Sequence, residues 1–348
     1  MKKGVIFRCV VSVIILRVLL SIVISFSSCV WSNDSKLFHQ ETYSEGKYTL
    51  FFASNGDGTC TLYDAEGILP ATFYVPEKTS NGWLITVLGE GCFSSNCREV
   101  INIVIPDSIV SIEYMAFGMG EKIESISFGS GLSKLDSGMF FSGGNNLKKI
   151  TVSKENAYFV SVDNKCLLDK KMQTLLIGTT SAFIPETVQK IADDAFSYRF
   201  FTDSLLFPTS VNEIGSFAFE GCRNVGDLIL PENLNILGEA CFSDSDVLSV
   251  CGGSYQVVPT DAFAYCEKLE SIQLPTSVKE ISSCAFNIPK NQLSRIHISA
   301  NVLTIEEYAF YCPNTTICCE LEAPPSGWEM QNNFEDCIFV WDCNNSET

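Results

Sequence analysis

The sequence predicts a mainly β protein in which short, similar units stack into a solenoid. Two periodic patterns lead to this prediction: a phenylalanine that recurs about every 23 residues, and an alternating apolar pair that follows each phenylalanine. A unit of this length cannot bury its own apolar face, whereas a stack of such units encloses one continuous core.

The phenylalanine usually follows a small residue, and the intervals between copies are 21 to 24 residues except for one gap of 56. The nine copies are Phe93, Phe117, Phe140, Phe196, Phe219, Phe242, Phe263, Phe286 and Phe310. We expect them to form a ladder inside the solenoid. The long gap predicts an insertion at about residues 153–180, where three strand-like runs (159–162, 166–168 and 175–177) suggest a meander that projects from the solenoid.

The apolar pairs alternate with mostly polar residues, which is the period of a β-strand with one buried face. They are Ile103/Ile105, Ile126/Phe128, Ile150/Val152, Ala182/Ile184, Leu205/Phe207, Leu228/Leu230, Leu248/Val250, Ile272/Leu274 and Ile296/Ile298. A proline often follows, where its missing N–H donor ends a strand at low cost. Each unit therefore predicts one short strand, and consecutive strands would pair in parallel at a spacing of about 4.8 Å.

The combined pattern resembles the leucine-rich repeats of the BspA-like surface proteins, also called the treponemal type. Its clearest copy runs from Ala262-Phe263 through Cys266, Leu269, Ile272, Leu274, Pro275 and Val278 to Ile281. The resemblance covers about residues 84–320. It implies a leucine-rich-repeat solenoid with a parallel β-sheet on the concave face, capped at both ends, in a surface protein that engages host or matrix proteins or other cells.

The segments on either side of the repeats predict the two caps. Residues 30–83 combine a linker with two strand-like runs, 48–53 and 59–63, whose connection Ser54-Asn55-Gly56-Asp57-Gly58 is typical of a β-hairpin. Residues 321–348 contain a Pro-Pro-Ser-Gly-Trp turn and a last apolar run. Atypical ends would prevent the stack from growing edge to edge.

Residues 1–29 are predicted to be a signal peptide or a lipoprotein leader, because two lysines precede an apolar stretch that small residues follow. A transmembrane anchor is the alternative, although Arg17 would then lie near the middle of the bilayer at a cost of about 2.5–3.5 kcal/mol. The run Phe26-Ser27-Ser28-Cys29 approximates a lipobox, which makes Cys29 a candidate lipidation site. We expect membrane contact only through this leader or a lipid on Cys29.

The net charge of −18 argues against a nucleic-acid partner, because binding a phosphate backbone needs clustered Lys and Arg. Catalytic motifs are also missing from the sequence. Neither of the two histidines lies beside a plausible nucleophile, and no catalytic or phosphate-binding motif occurs. We therefore expect no catalytic residue, no cofactor and no small-molecule substrate.

The 16 cysteines suggest either disulfides or a metal site. Cys222 and Cys266 share one position two units apart, so about 10 Å would separate them, which is too far for a disulfide. They are predicted to be buried thiols, as are Cys92 and Cys241 before their phenylalanines. Zinc is not expected, because paired Cys-x-x-Cys motifs are missing and histidine is scarce. A disulfide is expected in the C-terminal group Cys312, Cys318, Cys319, Cys337 and Cys343.

The middle residue of each predicted strand should point away from the core. This column reads Val104, Ser127, Thr151, Phe183, Leu206, Ile229, Ser249, Gln273 and His297. Phe183, Leu206 and Ile229 are consecutive, so they would form an exposed apolar stripe, which is typical of an interaction site. Alternatively, the insertion covers the stripe or its residues reflect strand propensity.

These observations favour an extracellular or cell-surface binding or adhesion protein, with Phe183, Leu206 and Ile229 as candidate partner-binding residues. Its expected partner is an extracellular protein or glycan. The alternative is a structural envelope component, or a lipid-anchored surface protein, with no dedicated ligand. A fold resemblance alone does not choose between them.

Overall fold

The computed structural model describes residues 40–45, 47–181, 183–290, 292–329 and 337–343. The backbone divides into a unit of residues 1–40 and a unit of residues 41–348, and the second contains the repeats. The predicted leader, with Cys29, lies outside the described residues. Within the described ranges, no helix is both long enough and apolar enough to cross a membrane.

Short strands follow one another along the whole unit, as the alternating pattern predicts. Before the insertion they are β1 (Gln40–Glu45), β2 (Tyr48–Ser54), β3 (Thr59–Gly67), β4 (Thr72–Tyr74), β5 (Leu84–Leu88), β6 (Asn102–Val104), β7 (Ser111–Ile112), β8 (Ser125–Phe128), β9 (Lys134–Leu135) and β10 (Lys149–Val152). Two 3-10 helices, Cys97–Glu99 and Ser137–Phe140, lie among them.

The insertion contributes β11 (Phe159–Val162), β12 (Cys166–Asp169) and β13 (Thr174–Gly178). The later strands are β14 (Lys190–Ile191), β15 (Glu213–Ile214), β16 (Gly226–Leu230), β17 (Ile236–Leu237), β18 (Val247–Gly252), β19 (Val257–Val258), β20 (Ser271–Ile272), β21 (Glu280–Ile281), β22 (Phe286–Asn287), β23 (Arg295–Ile298), β24 (Thr304–Ile305), β25 (Phe310–Tyr311), β26 (Thr316–Cys319) and β27 (Ile338–Val340).

Three sets of parallel strands lie in the solenoid, and the smallest is the pair of β22 and β25. The front ladder consists of β4, β6, β8 and β10 and then of β16, β18, β20, β23, β26 and β27. The side ladder contains β5, β7 and β9, then β13, β14, β15 and β17, and finally β19, β21 and β24. The antiparallel hairpin β2–β3 precedes β5. The predicted fold class, a mainly β solenoid built on parallel strands, is confirmed.

All nine predicted phenylalanines are buried. From Phe196 to Phe310, each ring stacks on the next with centroids 5.1 to 5.7 Å apart and planes within 9° of parallel. Leu228 and Ile272 belong to the same apolar core as these rings. From Phe196 to Phe310, the two periodic patterns in the sequence therefore face one shared interior, as predicted.

The insertion does not project from the solenoid, so that expectation was wrong. Its strands β11, β12 and β13 form an antiparallel meander, and β13 joins the side ladder. Leu167 and Ile177 pack into the core that contains Phe93, whereas Cys166, Leu168 and Leu175 pack into the core that contains Phe219. The run Cys-Leu-Leu in β12 is apolar on both faces, as in a strand that is buried on both sides. The meander thus separates two cores.

The front ladder is interrupted after the insertion, which contradicts two of the nine predicted strands. The pairs Ala182/Ile184 and Leu205/Phe207 were expected to form strands, but residues 183–185 and 204–208 lie outside any strand. The neighbouring edge of β10 is already occupied. The amide of Ile150 donates to the Asn164 carbonyl at 2.8 Å, and the Ile150 carbonyl accepts from the Ser161 hydroxyl at 2.6 Å.

The register of β18 also differs from the prediction. Val250 pairs with Leu228 and Ile272, and Cys251 pairs with Ile229. The inward pair of this unit therefore begins at Val250, and Leu248 lies on the surface with 37% of its area exposed. The unit is two residues short, and a register shift between Gly226 and Asp227 absorbs part of the difference. The apolar alternation of Leu248 and Val250 therefore placed the start of the inward pair two residues too early.

Candidate functional site

The outward side chains of the front ladder form one column along the solenoid, which we call the front column. Strand register aligns Tyr74, Val104, Ser127 and Thr151 in its first part. It aligns Ile229 with Cys251, and His297 with Cys318 and Val340, in its last part. Cys251 takes the place predicted for Ser249, which pairs instead with Asp227 and Ser271.

Phe183, Leu206 and Ile229 are exposed, at 43%, 75% and 73% of their areas respectively. We call these three side chains the apolar stripe. The insertion does not bury them, because its own apolar side chains point into the two cores. The stripe therefore leaves three large apolar groups in contact with solvent.

Polar side chains flank the apolar stripe along the front column. On one side, the hydroxyl groups of Thr151 and Ser127 lie 2.8 Å apart in a hydrogen bond. On the other side lie Gln273 and His297, and the His297 ring is 3.7 Å from the Glu320 carboxylate. An apolar centre with a polar rim is the usual anatomy of a protein interface.

The backbone segment that carries Leu206 lies outside the front ladder, and its inward side chains hold it in place. In the described part of the chain, the amides of Leu205, Leu206 and Phe207 donate to no backbone carbonyl. Leu205 is buried, and the Phe207 ring packs edge-on against Phe219 with centroids 5.6 Å apart. These inward contacts hold the segment against the core.

Arg199 lies where the insertion meets the solenoid, a region that we call the junction. The sequence analysis did not predict its role. Its side chain is 1% exposed and donates to the carbonyls of Gly178 (3.0 Å), Gly143 (3.1 Å) and Ser197 (2.9 Å). The guanidinium also lies 5.6 Å from the centroid of the Phe140 ring. Burial lowers the pKa of Arg199 to about 10. Gly143 precedes the insertion and Gly178 ends it, so one side chain ties the two segments together.

The sequence pattern of the BspA type leucine rich repeat region matches residues 80–173, 176–251 and 249–319, in six copies. These matches cover more than half of the chain. The chain belongs to the BspA-type leucine-rich repeat family. Among curated proteins, none matches the chain in sequence.

The chain is similar to solved structures of bacterial proteins at low sequence identity. A leucine-rich repeat protein from Eubacterium ventriosum is 18% identical, with a TM-score of 0.51 over 83% of this chain and 97% of the other. A leucine rich cell surface protein from Faecalibacterium prausnitzii is 17% identical, with a TM-score of 0.37 over 85% and 97%. The pneumococcal vaccine antigen PcpA is 17% identical, with a TM-score of 0.39 over 87% and 86%.

The BspA-type repeat accounts for the buried cysteines. The thiols of Cys222 and Cys266 are buried and donate to the carbonyls of Phe196 and Phe242, each at 3.0 Å. Burial raises the pKa of Cys222 to about 12 and that of Cys266 to about 11. These cysteines are therefore small core residues with a weak donor, as predicted.

The C-terminal cysteines differ from those of the repeats. Cys318 and Cys343 form a disulfide, with Cα atoms 5.8 Å apart, within the group where one was expected. In the described ranges, no group of three or more His, Cys, Asp or Glu side chains is placed to hold a metal ion.

Proposed function

We propose that this BspA-type protein acts outside the cell or on its surface by binding a protein partner through the apolar stripe. The observation that carries the proposal is the exposure of three large apolar side chains, Phe183, Leu206 and Ile229, in three consecutive units. Exposed apolar groups of this size are costly to leave in water and are typical of surfaces that associate. The proposed activity is binding and not catalysis.

The chemistry of the stripe favours a protein over a glycan. Leu206 and Ile229 offer no hydrogen-bonding group to sugar hydroxyls, and Phe183 is the one aromatic ring among the three. Apolar anchors of a protein partner would instead bury these side chains at the centre of an interface.

The negative charge near the stripe favours a partner with basic residues around its apolar anchors. Asp203 and Asp227 are exposed and lie on the same two segments as Leu206 and Ile229. The whole chain carries a net charge of −18. A partner surface with apolar anchors and a rim of Lys or Arg would therefore be attracted over long range and complemented on contact.

Two features support a location outside the cytosol. The sequence predicts a leader over residues 1–29, and the Cys318–Cys343 disulfide is of a kind that persists in oxidising compartments. The proposed surface attachment through a lipid on Cys29 is tested by metabolic lipid labelling. The wild-type chain should take up label and Cys29→Ala should not.

A binding array tests the proposed interface. Purified protein is passed over immobilised extracellular-matrix and cell-surface proteins, and over a glycan array at the same ionic strength. The double variant Phe183→Ser/Leu206→Ser should bind the retained protein at least about tenfold more weakly, since each lost apolar anchor removes about 1 kcal/mol or more. The matched control, Ile236→Ser/Val257→Ser, removes two exposed apolar residues from the side ladder and should bind like the wild type.

Equal binding by the stripe variant and the wild type would contradict the proposed interface. Retention on glycans alone would contradict the proposed class of partner. If the wild-type chain is retained on neither array, the result favours the alternative role, a structural envelope protein without a dedicated ligand.

A further inference from the structure

Two pairs of cysteines lie at the two ends of the strand pair β26 and β27. Cys318 lies in β26 and is bonded to Cys343, which follows β27. Cys312 precedes β26, and Cys337 immediately precedes β27. Both pairs are separated by 25 residues. The second pair therefore repeats the spacing of the first at the opposite end of the strand pair.

The sulfur atoms of Cys312 and Cys337 lie 3.2 Å apart. The Cys337 sulfur is also 3.3 Å from the Cys312 carbonyl. Backbone hydrogen bonds fix this approach. The Ile338 amide donates to the Thr315 carbonyl at 2.9 Å, and the Thr315 amide donates to the Cys312 carbonyl at 3.1 Å. Two thiols held this close need only a small side-chain movement to reach the bond length of about 2 Å.

We propose that Cys312 and Cys337 form a second disulfide in the exported protein, so that the last strand pair is cross-linked at both ends. The thiols lose two protons and two electrons as the Sγ–Sγ bond forms. A disulfide donor, either a protein exchange catalyst or oxidised glutathione, accepts the two electrons and two protons and becomes two thiols.

The order of the exchange follows from accessibility. Cys337 is half-buried, whereas Cys312 is fully buried. The Cys337 thiolate therefore attacks the donor first and forms a mixed disulfide. Cys312 then attacks the Cys337 sulfur and releases the donor thiol.

Cys319 is the one cysteine of the C-terminal group that we expect to stay reduced. It lies next to Cys318 in β26 but faces inward and is 0% exposed. Burial raises the pKa of Cys319 to about 12, which leaves very little of the reactive thiolate at neutral pH. The five cysteines thus divide into two pairs and one buried thiol.

Two cross-links fit the position of this strand pair. β27 is the last strand of the front ladder in the described residues. Phe339 and Trp341 pack on the core, and the Phe339 ring contacts Phe310 with centroids 6.1 Å apart. The two disulfides would hold β26 and β27 together at both ends of the strand pair.

Counting free thiols tests the proposal. The full chain is produced by export into an oxidising compartment and alkylated under denaturing conditions without reductant. No Lys or Arg follows Arg295, so trypsin releases residues 296–348 as one peptide that contains all five cysteines. We expect one alkylated thiol, on Cys319. Three alkylated thiols would show a single disulfide and would overturn the proposal.

Variants assign the pairing. Cys312→Ser should leave two alkylated thiols, on Cys319 and Cys337. The double variant Cys318→Ser/Cys343→Ser should still show one, because the proposed disulfide does not depend on the first. Further digestion with chymotrypsin and a Glu-specific protease locates each bond in the wild-type peptide. A bond between Cys337 and Cys319 would also overturn the proposal, and the wild-type peptide alone decides the question if a variant fails to fold.

Discussion

The stack from Phe196 to Phe310 and the junction around the insertion differ in how one unit packs on the next. In the stack, each unit meets another copy of itself, so the same rings and the same strand pairs recur. At the junction, the unit that ends in β10 meets the meander, and particular contacts replace the repeated ones. Arg199 and Ser161 make contacts there that no periodic pattern specifies.

The comparison shows how a repeat protein gains a surface that differs from the rest of its face. Where the neighbouring unit is another repeat, its strand pairs with the exposed edge of the previous strand. At β10 the meander forms the hydrogen bonds of that edge instead. The segments 183–185 and 204–208 then lie outside the ladder, and their inward side chains pack on the core. The apolar stripe lies on these two segments and on β16, the first strand of the resumed ladder.

The largest expected effect breaks the regular stack. Phe263→Ala removes a ring that lies 5.7 Å from both Phe242 and Phe286. We expect the free energy of unfolding to fall by about 3–5 kcal/mol, measured by urea denaturation. Phe183→Ala makes the same change on the surface and should cost about 1 kcal/mol or less. Similar losses for the two variants would contradict a core built on stacked phenylalanines.

The next effect concerns the junction. Arg199→Met leaves the carbonyls of Gly143 and Gly178 without their donor, and we expect a loss of about 2–3 kcal/mol in the free energy of unfolding. Arg223→Met is the matched control. Arg223 is half-exposed and pairs with Asp244 at 2.8 Å, so its loss should cost about 1 kcal/mol or less. If both variants lose the same amount, Arg199 does not brace the junction.

A smaller effect concerns the pH dependence of stability at Cys222, a buried thiol of the stack. Because burial raises the pKa of Cys222 from 9.0 to about 12, its thiol stabilises the fold fully below pH 9, and this contribution declines as pH rises towards 12. Cys222→Ser keeps a donor for the Phe196 carbonyl but removes the ionisation. The loss of unfolding free energy between pH 7 and pH 10 should then shrink by about 1 kcal/mol. An unchanged pH dependence in urea denaturation would argue against a buried thiol.

The smallest effect is expected at the stripe itself. Leu206→Ser should change the free energy of unfolding by about 0.5 kcal/mol or less, because the side chain is 75% exposed. Leu205→Ser, one residue earlier, places a hydroxyl in the core and should cost about 3 kcal/mol. Thermal and urea unfolding of the two variants separates the outward side chain from the inward one. Comparable losses would mean that Leu206 belongs to the core.

Much of the fold follows from the sequence because repetition amplifies weak local patterns. A single pair such as Ile272/Leu274 says little, yet nine copies in step with nine phenylalanines define the buried face. Backbone conformation is less predictable. Met115, Asp194, Phe217, Ala240, Asp261, Cys284 and Tyr308 occupy one position of the repeat with φ between 50° and 60°. Gly91 is the glycine at this left-handed position, with φ of 65°, and the other seven residues adopt it although they carry a side chain, because stacking overrides their local preference.

The candidate site was predictable only in part. The exposed positions of Phe183, Leu206 and Ile229 follow from their place in the column. The replacement of Ser249 by Cys251 does not, because a shortened unit shifts the register by an amount that only the paired strands reveal. The break in the ladder depends on Ser161 and Asn164, two polar residues of a meander whose docking no local pattern encodes.

Hydrogen exchange tests the contrast between stack and junction most directly. Among the residues that the structure describes, the amides of residues 205–207 find no backbone acceptor, whereas β18 lies between two paired strands. We predict that residues 205–207 exchange fast under native conditions and that the amides of Val250 and Cys251 are protected to near the global unfolding limit. Equal protection of the two segments would contradict the account, because it would mean that the ladder runs unbroken past the insertion.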